Sequence, residues 1–247
     1  MADPPIPAAT LVLLRERPDA HPEVLMVERA KAMAFAGGAM VFPGGRVDPG
    51  DVALAAVLDA GGDGAARVAA IRETIEEVGL AIALVPMPSP AQCAAIRDRL
   101  HGGEDFGAIL AEAGITLDLT MLEPFARWLP DHPGIRIFDT LFFLARAPQG
   151  EASVDATETV RLTWTTPAAL LAEADAGRAT IIYPTRRNLE RLALYADYAA
   201  AVADARAHPV RTITPFVETR DGVPHLCIPA DCGYPVTAEA MTAVRRG

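Results

Sequence analysis

An α+β fold or a layered α/β/α sandwich is what this sequence of 247 residues predicts. Short strand-like runs and longer helical patterns occur together without the regular β-α alternation of a doubly wound parallel sheet. No internal repeat points to a solenoid or propeller. One strong helix, residues 65–78, puts apolar side chains on one face and acids on the other. With 51% hydrophobic residues the chain can build a large core, and its length suits one elaborated domain over residues 1–247.

Residues 8–14 and 24–27 read as strands because they are apolar runs separated by the turn-rich stretch 17–22. A glycine-punctuated approach, 35–41, leads into Phe42-Pro43-Gly44-Gly45, and a short helix is expected over 51–59 before the Gly-rich break 61–64. The helix 65–78 is stopped by Gly79. Helical pattern returns over 90–114, with a break at Gly102-Gly103. Strands are expected at 124–129, 136–145 and 159–165, followed by a helix at 167–176 and a longer one over about 184–207. Residues 211–218 and 225–228 read as a closing hairpin around Asp221-Gly222. Helical insertions are thus placed at about 52–64 and 90–114, and a C-terminal extension at about 184–247.

A net charge of −10 argues against long-range attraction to a nucleic acid or an anionic membrane. Lys31 is the only lysine, and the arginines that carry the remaining positive charge are the better bidentate phosphate ligands. Cys93, Cys227 and Cys232 are odd in number, and the Cys227–Cys232 spacing lacks the second pair of a zinc site, so incidental thiols of a reducing compartment are expected. There is no basic start followed by an apolar run, and no unbroken membrane-length apolar stretch; a soluble, cytoplasmic protein is expected.

The chemistry concentrates in Arg72-Glu73-Thr74-Ile75-Glu76-Glu77-Val78-Gly79-Leu80. At about 100° per residue, Glu73, Glu76 and Glu77 share one helix face while Val68, Ile71, Ile75 and Val78 share the opposite one. Such like charges repel, and a hard divalent cation reverses that cost. Arg72, next to Glu73 and four residues before Glu76, can orient a carboxylate. Three glutamates alone would read as a solvated acidic face; the full Arg-Glu-x-x-Glu-Glu-x-Gly string and the preceding Gly44-Gly45, where backbone can approach a ligand closely, favour a site.

This segment resembles the Nudix box, Gly-x5-Glu-x7-Arg-Glu-U-x-Glu-Glu-x-Gly-U, where U is a bulky apolar residue. Gly45 takes the first glycine and Asp51 the first glutamate; Arg72, Glu73, Glu76, Glu77, Gly79 and Leu80 fill the second half. Asp51 is shorter than the usual glutamate, Thr74 stands at a U position, and the spacer of 20 residues carries an insertion of 13. The long spacer is similar to the subgroup that includes the mammalian peroxisomal CoA diphosphatase.

The resemblance implies an α/β/α sandwich in which Glu73, Glu76 and Glu77 ligate Mg²⁺ or Mn²⁺, with the Gly45 carbonyl as a further ligand, to hydrolyse a phosphoanhydride in a nucleoside diphosphate linked to another moiety. The general base is a box glutamate or an acid on a later loop, Glu158 ahead of Asp155. An upstream motif of CoA-directed relatives aligns without gaps on Leu25, Met26, Val27, Arg29, Ala30, Gly38, Phe42, Pro43, Gly44 and Gly45, but Ala34 replaces its second arginine. Arg29, Lys31, Phe42 and Gly44 are therefore the expected substrate contacts, and CoA or an acyl-CoA the favoured substrate. ADP-ribose, a dinucleotide or a nucleotide sugar is the alternative, with a non-catalytic nucleotide-binding module behind it. Thr185-Arg186-Arg187-Asn188 and the segment 229–236 are secondary candidates for phosphate binding and pocket lining. A small-molecule nucleotide is the expected partner; a homodimer is left open.

Overall fold

A computed structural model describes residues 4–30, 36–131, 137–154 and 159–244. In chain order its strands and helices begin with β1 (Ile6–Arg17), β2 (Ala20–Arg29), β3 (Met40–Val41), β4 (Gly44–Arg46), α1 (Pro49–Val57), α2 (Gly64–Val78) and β5 (Leu84–Val85). There follow α3 (Pro90–His101), α4 (Phe106–Ala113), β6 (Thr116–Leu117), β7 (Glu123–Trp128), β8 (Phe138–Arg146) and β9 (Thr159–Thr165). The remainder is α5 (Pro167–Asp175), α6 (Tyr183–Leu192), α7 (Tyr198–Ala207), β10 (Thr212–Ile213), β11 (Phe216–Arg220), β12 (Val223–Cys227) and β13 (Ala238–Ala240).

Successive side chains on a strand point to opposite faces, and β1 shows what that does here. Leu11 and Leu13 enter one core, Val12 and Leu14 the other, and none of these is more than 2% exposed. β1 lies between β8, to which it is parallel, and β2, to which it is antiparallel. The eight-stranded sheet runs β10-β7-β8-β1-β2-β3, with β4 also on β1 and β9 also on β2. Strands buried on both faces lose the polar-apolar alternation, which is why β1 and β2 read as plain apolar runs.

Helices α1 to α4 cover the first face, where Leu11, Leu25, Val27 and Phe143 meet Val68, Ile71, Ile75 and Val78 of α2. Helices α5 to α7 and the C-terminal segment cover the second, with Leu170, Leu189, Leu192 and Tyr234 against Met26, Phe142 and Leu144. The mixed-sheet sandwich expected from the sequence is the fold observed. Residues of both insertions pack on the α2 side, and the C-terminal extension packs on the opposite side. Among the described residues, no helix is long and apolar enough to cross a membrane.

Two expectations need correction. The helix expected over 184–207 is two helices, α6 and α7. Asp197 has extended backbone and accepts the Ala200 N–H at 2.7 Å, so it starts a new helix instead of continuing the old one. The stretch 211–218 also divides, because Thr212–Ile213 pairs with β7 in the main sheet and only Phe216–Arg220 joins the hairpin. Asp221 and Gly222, both with positive φ, make its two-residue turn, and β13 adds a third strand to it. The short ribbon β5–β6 had no counterpart among the expected elements, being too brief to leave a periodic signal.

Candidate active site

Helix α2 ends where Gly79 adopts φ +68 and its N–H reaches the Ile75 carbonyl at 2.9 Å. Its apolar face is fully buried, and Thr74 is tolerated inside because its hydroxyl donates to the Ala70 carbonyl at 2.7 Å. The acidic face is not an open surface. Glu77 is only 7% exposed, and the Gly44 N–H donates to its Oε2 at 3.0 Å. A Cβ on Gly45 would stand 2.4 Å from Oε1 of Glu73, so the lack of a side chain there is what admits that carboxylate. The Gly44-Gly45 pair thus lays the backbone of β4 against two of the three acids.

Arg72 organises the rest. Its Nε and Nη2 donate to the two oxygens of Asp51, each at 2.9 Å, and Nη2 also reaches the Arg46 carbonyl at 3.0 Å. Its Nη1 donates to Glu73 at 3.0 Å and to Glu76 at 2.7 Å. Asp51, 1% exposed, also accepts the Asp48 N–H at 2.8 Å. The longer spacer therefore still delivers the first box acid to Arg72. A carboxylate that fills a guanidinium's fork is a strong, directional contact.

Burial, reinforced by the charge of Glu76 and only partly offset by Arg72, pushes Glu73 up to about 7. Glu76 is also raised, first by burial. Burial opposes the charge on Arg72, but its bond to Asp51 and the nearby carboxylates raise it well above the ordinary guanidinium value. Among the described residues no set of three His, Cys, Asp or Glu side chains is already drawn together as metal ligands. The donor set nonetheless suits a hard cation. Asp51, Glu73 and Glu76 share the one guanidinium of Arg72, and burial holds Glu73 above the ordinary carboxylate value, a cost that a divalent cation would offset.

A family profile described as NUDIX domain matches residues 4–106. The solved structure of a NUDIX hydrolase from Alicyclobacillus acidocaldarius is 31% identical, aligning 81% of this chain with 96% of that one at a TM-score of 0.71. The chain belongs to the Nudix hydrolase family. A MutT protein from Methanosarcina mazei Go1 is similar more loosely, at 16% identity over 78% of this chain and 95% of that one with a TM-score of 0.47. No curated protein matches the chain. As a Nudix hydrolase it acts on nucleoside diphosphate derivatives, and such enzymes generally use a divalent metal.

The other expected site residues of this Nudix chain are distributed unevenly. Arg29 ends β2 half-buried, and its Nε is a buried donor without a hydrogen-bond partner among the described residues. Phe42 is 3% exposed and meets Phe142 edge-on in the core opposite α2, so its ring packs the sheet and does not line a pocket. Gly44 acts through its main chain: with φ +155, it would bring a Cβ to 2.3 Å from the Ala9 carbonyl. Lys31, Asp155 and Glu158 lie outside the described residues. The Thr185–Asn188 cluster is no phosphate cradle. Thr185, Arg187 and Asn188 are buried, Arg187 is engaged by Glu190 and Glu239, and Arg186 by Asp175. Within 229–236, Tyr234 is core, donating to Asn188 at 2.7 Å and accepting from Trp128 at 3.1 Å.

Sequence reasoning missed Arg97 and His101 of α3. Arg97 donates to the main-chain carbonyls of Glu76 and Glu77 at 2.8 and 2.9 Å, and His101 Nε2 donates to that of Glu76 at 3.1 Å. A side chain that binds main-chain oxygens leaves no partner type to look for in the sequence.

Proposed function

We propose that this Nudix hydrolase cleaves the pyrophosphate linkage of CoA or an acyl-CoA, with Mg²⁺ or Mn²⁺ held by Glu73, Glu76, Glu77 and the Gly45 carbonyl. The observation that carries the metal site is Arg72, which ties Asp51 by one edge and gathers Glu73 and Glu76 by the other. When bound, such an ion polarises a phosphoryl oxygen and lowers the pKa of water. Arg72 limits repulsion between the acids and sets their orientation. A box glutamate, or on the later loop Glu158 ahead of Asp155, takes the proton of the attacking water as an oxygen–phosphorus bond forms and the bridging oxygen leaves with the other phosphate. Arg29 supports the substrate assignment: it matches the CoA-directed motif, and its Nε, without a partner among the described residues, can donate to a phosphate.

A panel of CoA, acetyl-CoA, ADP-ribose, NADH and a nucleotide sugar, with products identified by mass spectrometry, tests both levels. Release of 3′,5′-ADP from CoA in preference to the others is expected. Turnover of ADP-ribose or NADH alone would remove the CoA assignment and leave the hydrolase. Glu76→Gln is expected to lower kcat at least about 100-fold, beyond the usual effect of a residue that only supports a ligand. Undiminished turnover in that variant would remove the metal assignment.

A further inference from the structure

We propose that Arg97 is a positioning residue for Glu76 and Glu77, and that through it the second insertion holds the acid-bearing turn of α2 in place. This inference rests on the reading of those two glutamates as metal ligands. The last carbonyls of any helix lack partners within it, and something must satisfy them. On α2 the Ser153 N–H takes the Val78 carbonyl at 3.0 Å, while the Arg97 fork takes those of Glu76 and Glu77 at 2.8 and 2.9 Å. The remaining donor positions of Arg97 reach Ser153 Oγ at 2.8 Å and Ser153 O at 3.0 Å. One rigid guanidinium therefore spans the final turn of α2 and the loop that precedes β9.

Gly79 bears the mark of the same contact. Besides its left-handed φ of +68, a Cβ there would lie 3.1 Å from Arg97 Nη1 and 3.2 Å from Ser153 Oγ. The box glycine makes room for the clamp as well as ending the helix. Arg97 is itself held by α3, whose Cys93, Ile96 and Leu100 are buried in the core beside α2. An ordinary C-terminal cap would satisfy the same carbonyls, but here they belong to the residues whose carboxylates must be held. Residues that orient ligands from behind typically contribute 10–100-fold in metal affinity.

Mn²⁺ binding by electron paramagnetic resonance, with melting of the metal-free protein alongside, tests the idea in four variants. Arg97→Ala is expected to raise the Mn²⁺ Kd by about 10–100-fold. Arg99→Ala, on the same helix but engaged with exposed Glu104 and Glu112, is expected to leave it unchanged. Arg97→Lys keeps the charge without the fork, and should bind Mn²⁺ more weakly than the wild type even if the alanine variant folds poorly. A wild-type Kd in Arg97→Lys, or an Arg97→Ala loss no larger than that in Arg99→Ala, overturns the proposal. Glu76→Gln separates the two readings: if it binds Mn²⁺ like the wild type, the ligand assignment itself fails.

Discussion

Gly44 and Gly45 are neighbours whose replacement should fail in different ways. A side chain at Gly44 would require φ +155 and would meet main chain, the Ala9 carbonyl at 2.3 Å and Thr10 Cα at 2.7 Å. Gly44→Ala is therefore expected to destabilise the fold by more than about 1 kcal/mol, read by denaturant unfolding. At Gly45 the obstacle is the mobile end of Glu73, which can swing away. Gly45→Ala should keep its melting temperature within a few degrees and lose Mn²⁺ affinity, and a matched loss of stability in both variants would contradict this. Glu73 also sets a pH dependence. Its folded value, about 7 against an ordinary 4.5, means that the metal-free fold holds this proton more tightly than the unfolded chain does. The resulting stabilisation is present at low pH and is lost as pH rises from the ordinary value through the folded one. With Glu73 a ligand as proposed, proton and ion compete for its carboxylate, and Mn²⁺ affinity should weaken below about pH 7, by up to about tenfold per unit, in a titration series.

At the scale of elements, α1 and α2 are joined by the Asp51–Arg72 fork. Asp51 is 1% exposed and Arg72 8%, so removing the acid strands a buried cation. Asp51→Ala is expected to cost up to about 3–5 kcal/mol in chemical denaturation, less to the extent that Glu73 and Glu76 still compensate Arg72. The helices near the site were legible because each announces itself locally. Gly79 stops α2, and Pro90 after Ser89 starts α3 with a reciprocal cap involving Gln92. The split of 184–207 was not legible, since Ala, Leu and Tyr run through the break and Asp197 reads equally as interior or cap until its neighbours are known. Arg97 was invisible for a related reason: its partners are main-chain oxygens brought near only when α3 packs on α2.

For the whole molecule, the sheet separates two cores that are used differently. One seats α2 and the acids; the other is closed by the C-terminal segment, where Trp128 is 1% exposed and bonded to Tyr234. Tyr234→Phe would leave the Trp128 indole N–H and the Asn188 oxygen short of a partner, at a cost of about 1–3 kcal/mol without effect on Mn²⁺ affinity. Metal binding, by contrast, should be felt globally. At about 100 times its Kd, Mn²⁺ contributes about 2.7 kcal/mol to the folded state, a rise of roughly 5–10 °C for a chain of this length. Calorimetry should show that rise in the wild type and its absence in Glu76→Gln.

The order of residues by itself determined the sandwich class, the helix that carries the acids and the glycines beside it. These follow from helix and strand periodicity and from backbone freedom, which act over a few residues. Only tertiary structure decided that Asp51 still reaches Arg72 across the long spacer, that Phe42 belongs to the far core, that the arginines of α6 are neutralised, and that Arg97 braces the acidic turn. Each of those depends on which groups meet across the sheet or between helices, a matter of packing and charge pairing between residues that are distant in sequence.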